Sequence, residues 1–240
     1  MPTTPRYYPP WHPGAAYHIY NRAVSLNRLF AVERDVTKFR RCLKERMTAF
    51  LEIYALACVG THFHLHARVR EREAIENHLC GLRRGSLLQR QRRYLAGELT
   101  FNQLLGDAFG RTFHAYANSF NKRHGRQGAL FNQTVRRLRT RDDLLSRRLV
   151  AYIHCNEVKH GVGDRVMGLG SRTTFEELAG GGGHLCDARA VLERFGGRGA
   201  FVEYHRAYKA RRLKALRRFG EGRFFGYEAG AAAAKHVWAL

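Results

Sequence analysis

Thr61-His62-Phe63-His64-Leu65-His66-Ala67-Arg68-Val69 alternates polar and apolar residues almost one for one. A period of two is that of a β-strand, so Phe63, Leu65 and Ala67 share one face and His62, His64 and His66 the other. Neighbours on one face sit ~7 Å apart, at a rise of ~3.3 Å per residue. That spacing lets two imidazoles converge on one metal ion. The plain alternative is a half-buried strand whose polar face happens to be rich in histidine.

Working outward, Leu51 to Val59 reads as a second strand, and Gly60-Thr61 turns it into the histidine strand as an antiparallel hairpin. Before it, Glu33 to Phe50 carries Val36, Phe39, Leu43 and Met47 at helical spacing with basic residues between them. Ala15 to Val24 reads as the first strand, Glu71 to Leu99 as a basic, irregular helical region, and Phe109 to Arg123 as a helix with Phe113, Tyr116 and Phe120 on its apolar stripe. Ala129 to Thr140 reads as a strand. A further helix, capped by Asp142 or Thr140, runs to about Lys159 and stops at Gly161. Gly180 to Gly183 is a flexible tract; helices follow over Ala188 to Phe195 and Ala200 to Phe219, and the tail from Ala231 is low in complexity. This order predicts an α+β fold: an antiparallel sheet with helices packed on one face, laid out like a ferredoxin, plus a helical C-terminal extension. The division expected is residues 1–178 for the main domain and 179–240 for the basic extension.

The formal net charge of +22, from 42 Lys and Arg against 20 Asp and Glu in 240 residues, carries a cost in self-repulsion that normally means an anionic polymer partner. Nucleic acid is the first candidate and anionic membrane the second. No apolar run approaches the ~20 residues needed to span a bilayer. Five scattered cysteines with no Cys-x-x-Cys pair read as reduced, mostly buried thiols of a soluble intracellular protein.

On the helix from Asp142, Leu145, Leu149, Tyr152 or Ile153, and Asn156 form a stripe expected to face the sheet. Tyr152 and Asn156 lie four residues apart and project the same way. A Tyr on such a stripe is commonly a core aromatic, but a buried carboxamide beneath it needs polar partners. A neutral oxygen beside two imidazoles makes a plausible metal shell with positions left open for substrate.

His62-Phe63-His64 resembles the paired-histidine motif of the HUH single-strand DNA nucleases. Tyr152-Ile153-x-x-Asn156, running into Val158-Lys159-His160-Gly161-Val162, resembles the nucleophile helix of single-tyrosine insertion-sequence transposases. With Tyr17-His18-Ile19-Tyr20-Asn21-Arg22 and the block from Tyr116 to Phe131, the resemblance is to the REP-associated tyrosine transposases and covers roughly residues 14–178. It implies a Mg²⁺ or Mn²⁺ ion held by His62, His64 and Asn156, with Tyr152 as nucleophile. It also implies a 5′-phosphotyrosine intermediate, and a substrate of single-stranded, hairpin-forming repeat DNA. The chain would then be cytoplasmic and nucleoid-associated, as a monomer or homodimer. Metal and basic charge near the phenol are expected to favour its ionised form. The chain departs from the family pattern at Glu157, where Pro is usual, at Val59-Gly60-Thr61 before the histidine pair, and around Gly168 to Thr174, where a Trp-x-Ser-Ser signature is missing.

His66 is expected behind or beside the ligands, and Tyr116, a rival nucleophile by position, in the core. Lys122, Arg123, Arg126, Arg136, Arg137 and Arg139 are the candidate DNA contacts. Two further readings stay open: a non-catalytic basic nucleic-acid-binding protein on the same fold, and a structural zinc protein, which the lack of cysteines near the histidine pair disfavours.

Overall fold

A computed structural model describes residues 8–24, 28–132, 135–156, 172–180 and 185–219. In chain order the elements are β1 (Ala16–Arg22), α1 (Glu33–Met47), β2 (Leu51–Val59), β3 (His62–Val69), α2 (Arg72–Gly81), α3 (Gln89–Leu95), α4 (Phe101–Arg123), β4 (Arg136–Thr140), α5 (Asp143–His154), α6 (Phe175–Ala179), α7 (Ala188–Phe195) and α8 (Arg198–Phe219). The four strands form one antiparallel sheet in the order β2-β3-β1-β4. This is the ferredoxin-like arrangement expected from the sequence, with the histidine strand β3 in the interior.

The apolar face of β3 takes α1 and α4. Phe39 of α1 meets Phe63 of β3 at 5.0 Å between ring centres, and Phe63 meets Phe113 of α4 at 5.5 Å. The expectation of helices on one face holds for this pair. The opposite face is covered too, because α5 packs over β2 and β3, its Ser146 hydroxyl donating to His66 Nε2 at 2.8 Å. Residues 185–219 share the same core: Val191, Phe195 and Phe201 belong to its apolar cluster.

Both sheet edges are handled differently. Along β2, residues on either side of α6 cover the edge: Thr174 N donates to Leu56 O, Asp187 N donates to Ile53 O, and Thr173 bridges Ala57. β4, on the other edge, is short and carries exposed Arg136 and Arg139, charges that discourage pairing with another chain.

Several boundaries differ from expectation. α4 begins eight residues earlier than its apolar stripe suggests, because Thr100 caps it reciprocally with Gln103. β4 covers only the last part of Ala129 to Thr140; before it, Phe131 makes a single bridge to Ala23. Asp142, not Thr140, caps α5, its Oδ1 accepting from Leu145 N at 2.7 Å. α5 ends at His154 with Cys155 as its C-cap, short of the expected run to Lys159; the expected stop at Gly161, the Gly180 to Gly183 tract beyond Gly180, and the tail lie outside the described residues. All five cysteines are free thiols, and only Cys80 is exposed.

Asp35 is a fully buried carboxylate at the start of α1. Its Oδ2 accepts from Ala31 N and Val32 N, and it pairs with Arg123 and His124 from the end of α4. Burial alone would raise its pKa; the Val32 amide, His124 and Arg123 outweigh that and hold it below the usual carboxylate range. A depressed carboxyl stabilises the fold above the unfolded pKa of about 3.9 and loses that contribution as pH falls through the folded value. Asp35→Asn is therefore expected to cost roughly 2 kcal/mol at pH 7, discounted for the partly exposed Arg123. The gap to wild type should close in urea denaturation below about pH 4.

Candidate functional site

β1 and β3 pair with His18 opposite His66 and Tyr20 opposite His64. Directly opposed residues share a face, so the sheet presents His18, Tyr20, His62, His64 and His66 to the side covered by α5. The His62 and His64 rings stand perpendicular with centres 5.0 Å apart. Tyr152, from the last turn of α5, lies edge-on to His64 at 5.7 Å and to His18 at 6.2 Å. The phenol and the histidines thus meet within one chain. Asn156 follows the α5 C-cap and is 1% exposed.

The hydrogen-bond inventory divides these residues sharply. His66 uses both nitrogens: Nδ1 donates to Tyr17 O at 3.1 Å while Nε2 accepts from Ser146. It ties β1, β3 and α5 together and has no lone pair left for a metal; burial pulls it down to about 4. Tyr116 donates its hydroxyl to Leu29 O inside the α1–α4 core, against Phe39 on the face of the sheet opposite the histidines. By contrast, Tyr152 Oη, Asn156 Oδ1 and Nδ2, and His18 Nδ1 are buried without a hydrogen-bond partner among the described residues. Such orphans are rare in folded proteins.

Those orphans bear on whether a cation fits. Among the described residues no group of three or more His, Cys, Asp and Glu side chains is placed to hold a metal ion. Among those residues, a third protein donor beside the His62–His64 pair would be a neutral side chain. Asn156 Oδ1 is buried, unpaired and one turn beyond Tyr152. By their chemistry two imidazoles and an amide oxygen suit a divalent cation with positions left open, and the four His or Cys ligands of a structural zinc site do not gather among the described residues.

The chain's own groups do not by themselves ionise Tyr152. It is 8% exposed, and burial pushes its phenol well above the usual value; Tyr208 and Tyr20 add to this, and Arg212 opposes without overturning it. The chain's own charges leave the phenol protonated at neutral pH. His18 is pulled down to about 3, by burial first and His66 second, and so is neutral.

The end of α5 is fixed by a second buried histidine pair. His205 Nδ1 of α8 donates to Phe201 O at 2.7 Å, which leaves its Nε2 to accept from His154 Nδ1 at 2.9 Å. His154 Nε2 accepts from Thr174 Oγ1, which in turn accepts from Leu56 N on β2. Through this chain α8 lies against the C-terminal end of α5, where Tyr208 and Leu213 pack on Cys155.

The six basic candidates separate. Lys122, Arg136 and Arg139 are exposed. Arg136 pairs with Tyr20 and so shares the histidine face, whereas Arg137 and Arg139 pair with Ile19 and Tyr17 on the other. Arg123 is committed to buried Asp35. Arg126 holds its own turn through Asn121 Oδ1 and Ala129 O. Arg137 donates to Pro9 O at 2.6 Å and stacks over Trp11 at 4.3 Å. Each of these last three, all half-buried, thus also holds part of the fold together. Arg139 also lines a cleft of 1140 Å³ with Arg68, Arg141 and Arg194 beside the start of α5. His18, Tyr20, Tyr208 and Arg212 escaped the sequence reading of the site; for the first two the signal was the period-two alternation of β1.

No family model matches the chain, and no curated protein matches it. One solved structure, a REP-associated tyrosine transposase bound to a REP hairpin, aligns over 75% of this chain and 86% of its own with a TM-score of 0.49 at 15% identity. Similarity at that level carries no argument about chemistry, so the reading of the site rests on its own residues. No helix among the described residues is long and apolar enough to cross a membrane.

Proposed function

We propose that this chain is a divalent-cation-dependent enzyme that cleaves and rejoins single-stranded DNA through a covalent link to Tyr152. The observation that carries the reading is the meeting of the Tyr152 ring with His64 and His18 on one sheet face, where Tyr152 Oη and His18 Nδ1 are buried without a partner among the described residues. The charge of +22 supports a nucleic-acid substrate, and the sequence resemblance supports hairpin-forming repeats.

His62, His64 and Asn156 Oδ1 would hold the cation, a set of two imidazoles and one oxygen that suits Mn²⁺ better than the harder Mg²⁺. Bound there, it supplies Lewis-acid stabilisation of the charge that builds on the scissile phosphate. The Tyr152 oxygen attacks phosphorus, and the new P–O bond forms as the bond to the 3′ oxygen breaks. The phenol proton ends on that oxygen. The products are a free 3′-hydroxyl and a 5′-phosphotyrosine, and a second 3′-hydroxyl reverses the step to join strands. Because phenol and histidines come from the same chain, Tyr152 serves its own site. Arg136, on the histidine face, is positioned for the phosphate backbone.

The burial of Tyr152, 8% exposed, favours a second reading, a basic DNA-binding protein without catalysis. Incubation with labelled hairpin DNA and Mn²⁺, followed by a denaturing gel, separates the two. The enzyme is expected to give a protein-linked labelled strand that disappears with EDTA, while salt-sensitive binding survives. Binding with no adduct at any Mn²⁺ concentration would leave only the binding protein.

A further inference from the structure

His18 has no part in the ligand set above, yet it is among the most thoroughly enclosed polar residues on the histidine face, at 2% exposed. Its Nε2 lies 2.9 Å from His64 Nδ1. When both rings are neutral, imidazoles at that distance share one proton between the facing nitrogens, and which ring owns it decides what His64 offers. If His18 Nε2 donates, His64 is protonated at Nε2 and has no lone pair there for a cation. If His64 Nδ1 donates, His64 carries its lone pair on Nε2, and the proton of His18 sits on Nδ1.

Resting on the reading of the site given above, we propose that His18 is a positioning residue: as acceptor to His64 Nδ1–H, it fixes the His64 tautomer whose Nε2 ligates the cation. Ligating histidines characteristically donate their second ring nitrogen to such a partner, which sets tautomer and ring orientation together. The partner is more often a carboxylate or a carbonyl. Here a neutral imidazole takes that place, so the site gains no negative charge that would repel a phosphodiester. The arrangement also accounts for His18 Nδ1, which is buried without a partner. In this tautomer it is an N–H, a donor on the face where Tyr152 lies edge-on to the same ring, suited to an anion entering the site.

The test starts with the wild-type chain free of metal. Long-range proton–nitrogen NMR at slightly alkaline pH should find His64 protonated at Nδ1 and His18 at Nδ1. Mn²⁺ affinity, read by electron paramagnetic resonance without DNA, should fall about 10–100-fold in His18→Phe. His18→Gln, whose Oε1 can accept from the His64 Nδ1–H, should recover most of it. A His18→Phe chain that melts as wild type and binds Mn²⁺ as tightly overturns the proposal, as does a wild-type His64 protonated at Nε2. If His18→Phe does not fold, the wild-type tautomer and the Gln variant decide alone. Wild type that binds no Mn²⁺ at all overturns the cation reading itself, and with it the purpose assigned to His18. Tight Mn²⁺ binding with the wrong tautomer overturns the role of His18 only.

Discussion

Tyr152→Phe is expected to abolish the covalent protein–DNA adduct, by at least about a thousandfold, while leaving the fold and DNA binding intact. The first half follows from the chemistry: without the phenol oxygen no nucleophile remains at that point, and loss of a nucleophile removes catalysis down to what binding alone provides. The second half follows from the structure. A buried hydroxyl with a good partner costs ~1 kcal/mol or more to remove. Tyr152 Oη has none, so deleting it sheds an unsatisfied polar atom, and Phe preserves the edge-on contacts with His64 and His18. Thermal stability should stay within about 1 kcal/mol of wild type, or rise. A denaturing gel with hairpin DNA and Mn²⁺ reads the adduct; a filter-binding titration reads the affinity. An adduct at wild-type level in the Phe variant would remove Tyr152 from the mechanism.

The parts of this fold that local patterns encode were legible. The alternation of β3, the turn at Gly60 and Thr61 and the stripe of α1 each depend on residues within one element, and each is where the pattern puts it. What the sequence concealed depends on partners far along the chain. Arg123 looks like an exposed cation at a basic helix end, but Asp35, 88 residues away, claims it. Arg137 looks like part of an arginine stripe until Trp11 and Pro9 fold against it. His18 sits 46 residues before the ring it touches, and only the β1–β3 register brings them together. The same holds for α8, whose basic sequence suggests a surface helix but whose His205 reaches the buried end of α5. The start of α4 was locally readable, because Thr100-x-x-Gln103 is a capping box; the apolar stripe of the later turns drew attention from it.

Phe39→Ala is expected to cost about 3–5 kcal/mol, the largest loss of stability from any single truncation considered, because it empties the centre of the layer between the sheet and its two long helices. Phe39 is wholly buried, with ring centres at 5.0 Å to Phe63, 5.1 Å to Tyr116 and 5.3 Å to Phe30. Those neighbours come from β3, α4 and the loop before α1, three elements that cannot all move inward to refill the gap. A domain of this kind has about 5–15 kcal/mol in total, so the variant should lie near the edge of folding. Urea denaturation should show a lower midpoint with an unchanged slope, the sign that stability fell without a change in the surface exposed. Phe39→Leu, which keeps most of the volume, should lose less than half as much. The substitution also tests how the site depends on the fold. Phe63, the side chain Phe39 supports, lies between His62 and His64 on the opposite face of the same strand, so the α1 layer holds the histidine pair from behind. If that support only keeps the chain folded, adduct yield per folded molecule will match wild type at low temperature. If it also sets the spacing of the two imidazoles, the folded fraction will bind Mn²⁺ more weakly than wild type.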